Sequence, residues 1–132
     1  MPARRKTSPA KLDAELMRGV ASTAVLSLLA QREQYGYELV QAIAEQSGGL
    51  IRIGQSTVYP LLYNLESKGH VESVWRDGDA GRPRKYYRLT RKGRRRLSAS
   101  QTQWRAVVDG MSRLGVLGQA LAGSGVAAGR LR

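Results

Sequence analysis

Residues 55–76 read QSTVYPLLYNLESKGHVESVWR, and the fold turns on this stretch. Up to Lys68, Val58, Leu61, Leu62 and Leu65 recur every three or four positions, the period of a helix with one buried side. Ser56 or a neighbour is the expected N-cap. Proline has no backbone N–H and is tolerated in the first turn, so Pro60 sets the helix start close to Gln55–Ser56. Lys68–Gly69 ends the helix. From His70 to Arg76 the pattern becomes alternating, as in a strand.

Reading on, Asp77-Gly78-Asp79-Ala80-Gly81 has turn chemistry, and Arg84–Leu89 reads as the return strand of a hairpin. Thr90 then caps a long helix over 91–115. Its apolar residues are Leu97, Trp104, Val107, Val108, Met111 and Leu114. Trp104, Val108 and Met111 step by four and three, a coiled-coil-like seam. The chain supplies no later element to cover that seam, so a partner subunit is the expected cover.

Reading back, Gly54 is preceded by a short apolar piece, Leu50–Ile53, with strand character. Before it lies a helix from about Tyr37 to Ser47, closed by Gly48–Gly49. Gln34–Tyr35–Gly36 breaks it from a first helix over 13–31, where Leu16, Val20, Ala24 and Leu28 recur. Asp13 can cap that helix, and Gly19 weakens it by about 1 kcal/mol relative to Ala. The expected fold class is mainly α with a small β-hairpin (α+β). Three helices and then a hairpin make the winged helix-turn-helix plan, followed by a long dimerisation helix. The boundaries read as a flexible basic arm (1–12), the winged domain (13–90), the dimerisation helix (91–115) and a Gly/Ala-rich disordered tail (116–132).

The 132 residues carry 22 Lys+Arg against 10 Asp+Glu, a formal charge of +12. The excess is local: residues 82–96 hold nine cations and no acid, and residues 12–81 hold five cations and nine acids. A block of this kind points to a polyanionic partner, nucleic acid first and an acidic membrane second. With no Cys there is no disulfide scaffold or thiolate metal site, and His70 alone cannot build one. No apolar run approaches the ~18–20 residues of a membrane span, and no signal-peptide core follows the basic N-terminus. The expectation is a cytoplasmic protein with no membrane partner. No Gly-rich phosphate loop is present, and Asp77 and Asp79 read as turn formers. Nothing calls for an enzyme, a metal or a cofactor.

In the winged plan the third helix enters a major groove of double-stranded DNA. With its apolar stripe turned inward, it offers Gln55, Ser56, Thr57, Tyr59, Pro60, Tyr63 and Asn64. Amides pair with adenine edges, and Thr or Pro carbons contact a thymine methyl. The Tyr59 ring can equally be half core. On the wing, Arg82, Arg84 and Lys85 are placed to clamp a phosphate or enter a minor groove. Arg91, Lys92, Arg94, Arg95 and Arg96 sit against the helix dipole, which suggests an outside reason for them. Trp104 is either a packed interface residue or a platform for a planar ligand. Charge alone would also suit a sequence-blind coater of nucleic acid.

Gly36-Tyr37-Glu38-Leu39, Ser56-Thr57-Val58-Tyr59-Pro60-Leu61-Leu62, Leu65-Glu66-Ser67-Lys68-Gly69 and Gly81-Arg82-Pro83-Arg84-Lys85-Tyr86-Tyr87-Arg88-Leu89-Thr90 together resemble the PadR-like family of bacterial transcriptional regulators, over about residues 14–115. The resemblance implies a homodimer whose last helix packs on the first helix of its mate, with Leu16, Val20, Leu97, Trp104, Val108 and Met111 at the interface. It implies a repressor that releases DNA on a signal such as a small-molecule effector. It also assigns DNA contact to Thr57, Tyr59, Pro60, Arg82, Arg84 and Lys85. The short branch of the family has a single helix after the wing, as here.

Overall fold

The computed structural model describes residues 14–116 and 118. The basic arm, and the tail apart from residues 116 and 118, lie outside the described residues. The order is α1 (Ala14–Gln31), β1 (Gln34–Tyr35), α2 (Gly36–Gln46), α3 (Gln55–Ser67), β2 (Val71–Asp77), β3 (Pro83–Leu89) and α4 (Arg91–Arg113). The chain divides into two compact units after Leu97, inside α4 and seven residues beyond the expected boundary at residue 90.

In the first unit the α1–α3 stripes meet around Val25, Leu26, Leu39, Val58 and Leu62, all fully buried. The strands form one antiparallel sheet in the order β1-β3-β2. Val71 pairs with Leu89, Ser73 with Tyr87 and Trp75 with Lys85. The hairpin is therefore part of a three-stranded sheet, with Gln34 opposite Tyr87 and Tyr35 opposite Tyr86 on the other edge of β3. The buried Gln34 amide donates to the Leu28 carbonyl at 2.9 Å, which ties this strand to the end of α1.

Local chemistry accounts for the element ends. The Tyr35 N–H donates to the Glu38 carboxylate at 3.2 Å, closing the first turn of α2. Gly48 and Gly49 take positive φ at its far end. Residues 50–54 pair with no strand, because the Ser47 hydroxyl holds Ile51 through its N–H (3.0 Å) and its carbonyl (3.2 Å) in a tight loop. The N-cap of α3 is Gly54, not Ser56, and Pro60 is the sixth helical residue. It thus lies beyond the first turn and leaves the Ser56 carbonyl without its helical donor. Glu33 and Arg76 form a fork-like pair joining the α1–α2 connection to β2, and it lowers the Glu33 carboxyl below its usual range.

The base of the hairpin and the start of α4 form a single junction. The Thr90 N–H donates to the His70 carbonyl (3.1 Å), and the Thr90 hydroxyl donates to Gly69 (2.6 Å). That hydroxyl also accepts from Gly93 N–H at 3.0 Å, the N-cap bond expected of Thr90. Gly93 lies against the His70 carbonyl so closely that a β-carbon there would collide with backbone.

Two expectations follow. Gly93→Ala forces the junction apart and should lower stability by about 1–3 kcal/mol, read as a lower melting temperature. The second concerns His70, whose Nδ1 is buried without a partner. Burial, and then Lys92, Arg96 and Lys68, depress its pKa below the usual 6.5. The unfolded chain therefore takes up a proton that the folded chain resists, and stability falls as pH drops below about 6.5. His70→Gln should flatten that part of the melting-temperature profile; an unchanged slope would exclude His70 as its source.

Candidate nucleic-acid interface

Helix α3 presents its outer face without internal cover. Gln55, Ser56, Thr57, Pro60, Tyr63 and Asn64 are all exposed, and Tyr59 is half-buried. The seven residues expected to read DNA do not form one patch. Tyr59 and Tyr63 turn toward the wing, where they line an open cleft of about 300 Å³ with Tyr37, Trp75 and Lys85. Thr57 lies on the opposite flank, in a pocket of about 380 Å³ shared with Arg18, Arg52 and Leu61. No acid lies in the first turn and Gly54 supplies no side-chain cap, so the positive end of the helix dipole is open to an anion.

The Tyr59 ring rests on Gly36, the first residue of α2. A β-carbon at position 36 would collide with the far edge of that ring. The half-core reading of Tyr59 thus has a definite contact behind it. Tyr63 is 55 % exposed and lies beneath the Lys85 ammonium, 5.4 Å from its ring centre.

The three wing cations differ sharply in surroundings. Arg82 is exposed and, among the described residues, has no ion pair or ring contact. Arg84 is half-buried: its guanidinium stacks 4.5 Å from the Tyr35 ring centre and donates to the Tyr35 hydroxyl at 2.8 Å. Lys85 sits 3.6 Å from the Glu66 carboxylate and 5.4 Å from the Tyr87 ring centre. Burial pulls the Lys85 ammonium down, but Tyr87 and Glu66 outweigh it and hold its pKa above the usual value. Glu66 also accepts from the Ser73 hydroxyl at 2.8 Å. One acid on α3 thus anchors both hairpin strands to that helix. At the tip, Ala80 and Gly81 both take positive φ, 63° and 73°.

Sequence reasoning missed Tyr35, Tyr37 and Trp75. Trp75 is 67 % exposed at the wing end of the cleft. Its signal lies in the sequence, since a tryptophan on an alternating strand beyond the last core position has no interior to enter. Tyr35 leaves no such signal, because a two-residue strand is too short for a period.

The expected interface residues also separate. Leu16 is 54 % exposed on α1 and Val20 is half-buried. Leu97 is 7 % exposed and belongs to the first unit's own core, so its side chain is already covered within the protomer. In the second unit Trp104 is half-buried, and Val107, Val108, Met111 and Leu114 are exposed. Among the described residues no acid or histidine cluster suits a metal, and no helix is long and apolar enough to cross a membrane.

Comparison with known proteins places the chain in a family. Residues 25–99 match the model of the transcriptional regulator PadR-like family. An uncharacterized protein of Lysinibacillus sphaericus is 32% identical over 95 residues, covering 72% of this chain and 87% of its own. A solved PadR family transcriptional regulator from Eggerthella lenta is 42% identical with a TM-score of 0.66, over 76% of this chain and 85% of that one. A transcriptional regulator from Clostridium thermocellum is 28% identical with a TM-score of 0.69, over 76% and 97%. The family match runs through more than half of the chain, from the middle of α1 across the wing into α4, and on that ground the chain belongs to the PadR-like family of DNA-binding transcriptional regulators, which are not enzymes.

Proposed function

We propose that this regulator is a homodimeric repressor of the cytoplasm that binds a roughly palindromic operator. The observation that carries this reading is the bare outer face of α3, with its uncapped N-terminus and a cation-bearing wing beside it. Gln55, Ser56, Thr57, Pro60, Tyr63 and Asn64 read base edges in the major groove, and Tyr59 takes part from its seat on Gly36. Arg82 meets a phosphate or the minor groove at the tip. Arg84 and Lys85 contribute field and hold the wing in place through Tyr35 and Glu66.

The exposed apolar residues of α4 support dimerisation. Trp104, Val108 and Met111 of one protomer cover Leu16 and Val20 on α1 of its mate; Leu97 backs that surface from within. Two-fold symmetry then sets half-sites about one helical turn, ~34 Å, apart or a multiple of it. A planar effector would enter beside Trp104 and loosen the DNA-bound arrangement. The division into arm, winged domain, dimerisation helix and tail belongs to the same reading, with the winged unit extending to Leu97.

Footprinting on the DNA upstream of its own gene, with excess random competitor, is the direct test of the operator. A protected, roughly palindromic stretch is expected. Salt-sensitive bulk binding alone would favour the sequence-blind coater. Sedimentation should give a dimer for the parent chain and a monomer for Val108→Asp.

Substitutions separate base reading from phosphate contact. Thr57→Ala and Tyr63→Ala should each reduce the preference for operator over random DNA by about 1–3 kcal/mol. Arg82→Ala should weaken all duplexes alike and reduce the salt slope by about 1 per bound protomer, about 2 for the dimer. Arg84→Ala should weaken binding and also lower the melting temperature, because it takes away the guanidinium that stacks on Tyr35. Unchanged binding in all four variants would overturn the DNA-reading model.

A further inference from the structure

The described cations of the first unit fall into two populations. Arg32, Arg76, Arg84, Lys85 and Arg88 each face an acid within 4.0 Å. Arg18, Arg52, Lys68, Arg82, Arg91, Lys92, Arg94, Arg95 and Arg96 are all exposed, and none has an ion pair among the described residues. Six of these, Lys68 and the five cations of residues 91–96, flank one junction. Lys68 caps the C-terminus of α3. The Thr90 hydroxyl, at the N-cap of α4, is bonded to the next residue, Gly69. The Lys92 side chain lies along Gly69, with Cδ 3.7 Å and Nζ 3.9 Å from where a β-carbon would stand. Lys92, Arg96 and Lys68 all bear electrostatically on His70.

This arrangement is unfavourable for the isolated protein. The first turn of α4 holds no acid, and its cations oppose the helix dipole. Arg91 with Arg95, and Lys92 with Arg96, are like charges one turn apart, which destabilises a helix. An external polyanion would reverse the sign of these terms.

We propose that Lys68 and the first two turns of α4 form a second phosphate-contacting surface that grips the duplex backbone beside the groove occupied by α3. This rests on the reading of α3 as the DNA-entering helix. Two features favour a duplex over the other polyanions. The surface adjoins the C-terminus of α3, so a backbone strand bordering the groove can reach it. Arg91–Arg96 also exposes no large apolar side chain, whereas a membrane-surface helix needs an apolar face and a protein interface an apolar or aromatic centre. Guanidinium forks suit phosphate oxygens.

The test compares Arg91→Gln/Arg95→Gln and Lys92→Gln/Arg96→Gln with the parent chain. Each is titrated against labelled random-sequence duplex, and against the footprinted duplex, over a range of salt. Each double variant should reduce the slope of log affinity against log salt by about 2 per bound protomer, about 4 for the dimer, at about 0.9 for each phosphate no longer neutralised. The operator-to-random ratio should stay unchanged, and the melting temperature should hold or rise as like-charge repulsion is removed. Slopes equal to the parent's on both duplexes would overturn the second surface even where the footprint stands. A parent chain without site preference would overturn the reading of α3, while the random duplex still decides on this surface. Unchanged duplex slopes with abolished binding to anionic phospholipid vesicles would assign the patch to membranes and overturn the proposal.

Discussion

Strand β3 is paired along both edges, and the arrangement of the first unit depends on that. On one side it holds Gln34 and Tyr35, which fixes where α1 ends and α2 begins. On the other it holds β2 along its whole length, which fixes the direction in which the chain leaves α3. Tyr87, at its centre, is 2 % exposed. Were β3 to slip by one residue, Tyr87 and Leu89 would exchange faces with Tyr86 and Arg88, moving charge into the core. The register is thus held by burial at the base, and the tip is left free to carry positive-φ residues.

A consistent electrostatic pattern follows. Cations that lie over the sheet are engaged by acids from neighbouring elements, Arg76 by Glu33, Lys85 by Glu66 and Arg88 by Glu72. Such exposed or half-exposed pairs add little stability individually. Their effect is geometric: Lys85–Glu66 ties the hairpin to α3, Arg76–Glu33 ties it to the α1–α2 connection, and Arg88–Glu72 links its two strands. Cations beyond the reach of those acids, at the wing tip and the start of α4, keep their full field for the surroundings. The positive surface is therefore narrower than composition alone suggests, and it is displaced from the strand toward the two ends of the hairpin.

Much of this is legible in the residues. The stripe of α3, the switch of period after Gly69 and the Thr90 cap each rest on a local signal, and each reappears in the structure. What is not legible depends on partners distant in sequence. Residues 34 and 35 form a strand only because β3 offers an edge. Leu50–Ile53 has strand-like composition, but Ser47 folds it into a loop. Leu97 sits on the apolar side of a helix, and composition cannot distinguish an apolar residue facing its own core from one facing a mate. Arg84 and Lys85 read as free because Tyr35 and Glu66 stand 49 and 19 positions away. The rule that confines proline to a first turn puts Pro60 too early in its helix, since the helix accommodates it with an unpaired carbonyl on the outer side.

The packing of Tyr59 on Gly36 bears on how such regulators can diverge. The far end of the ring at position 59 occupies the space that a β-carbon at position 36 would fill, so a larger residue at 36 requires the ring to move. The two positions are thus a single steric unit shared by two helices, and they constrain each other's alphabet. A chain that exchanged the tyrosine for a small residue would gain a void, and a larger residue at 36 could then enter it. Under the proposed base-reading role of Tyr59, a change of preference through position 59 would be expected to arrive together with a change at position 36, and redesign of that face would have to treat the start of α2 as part of it.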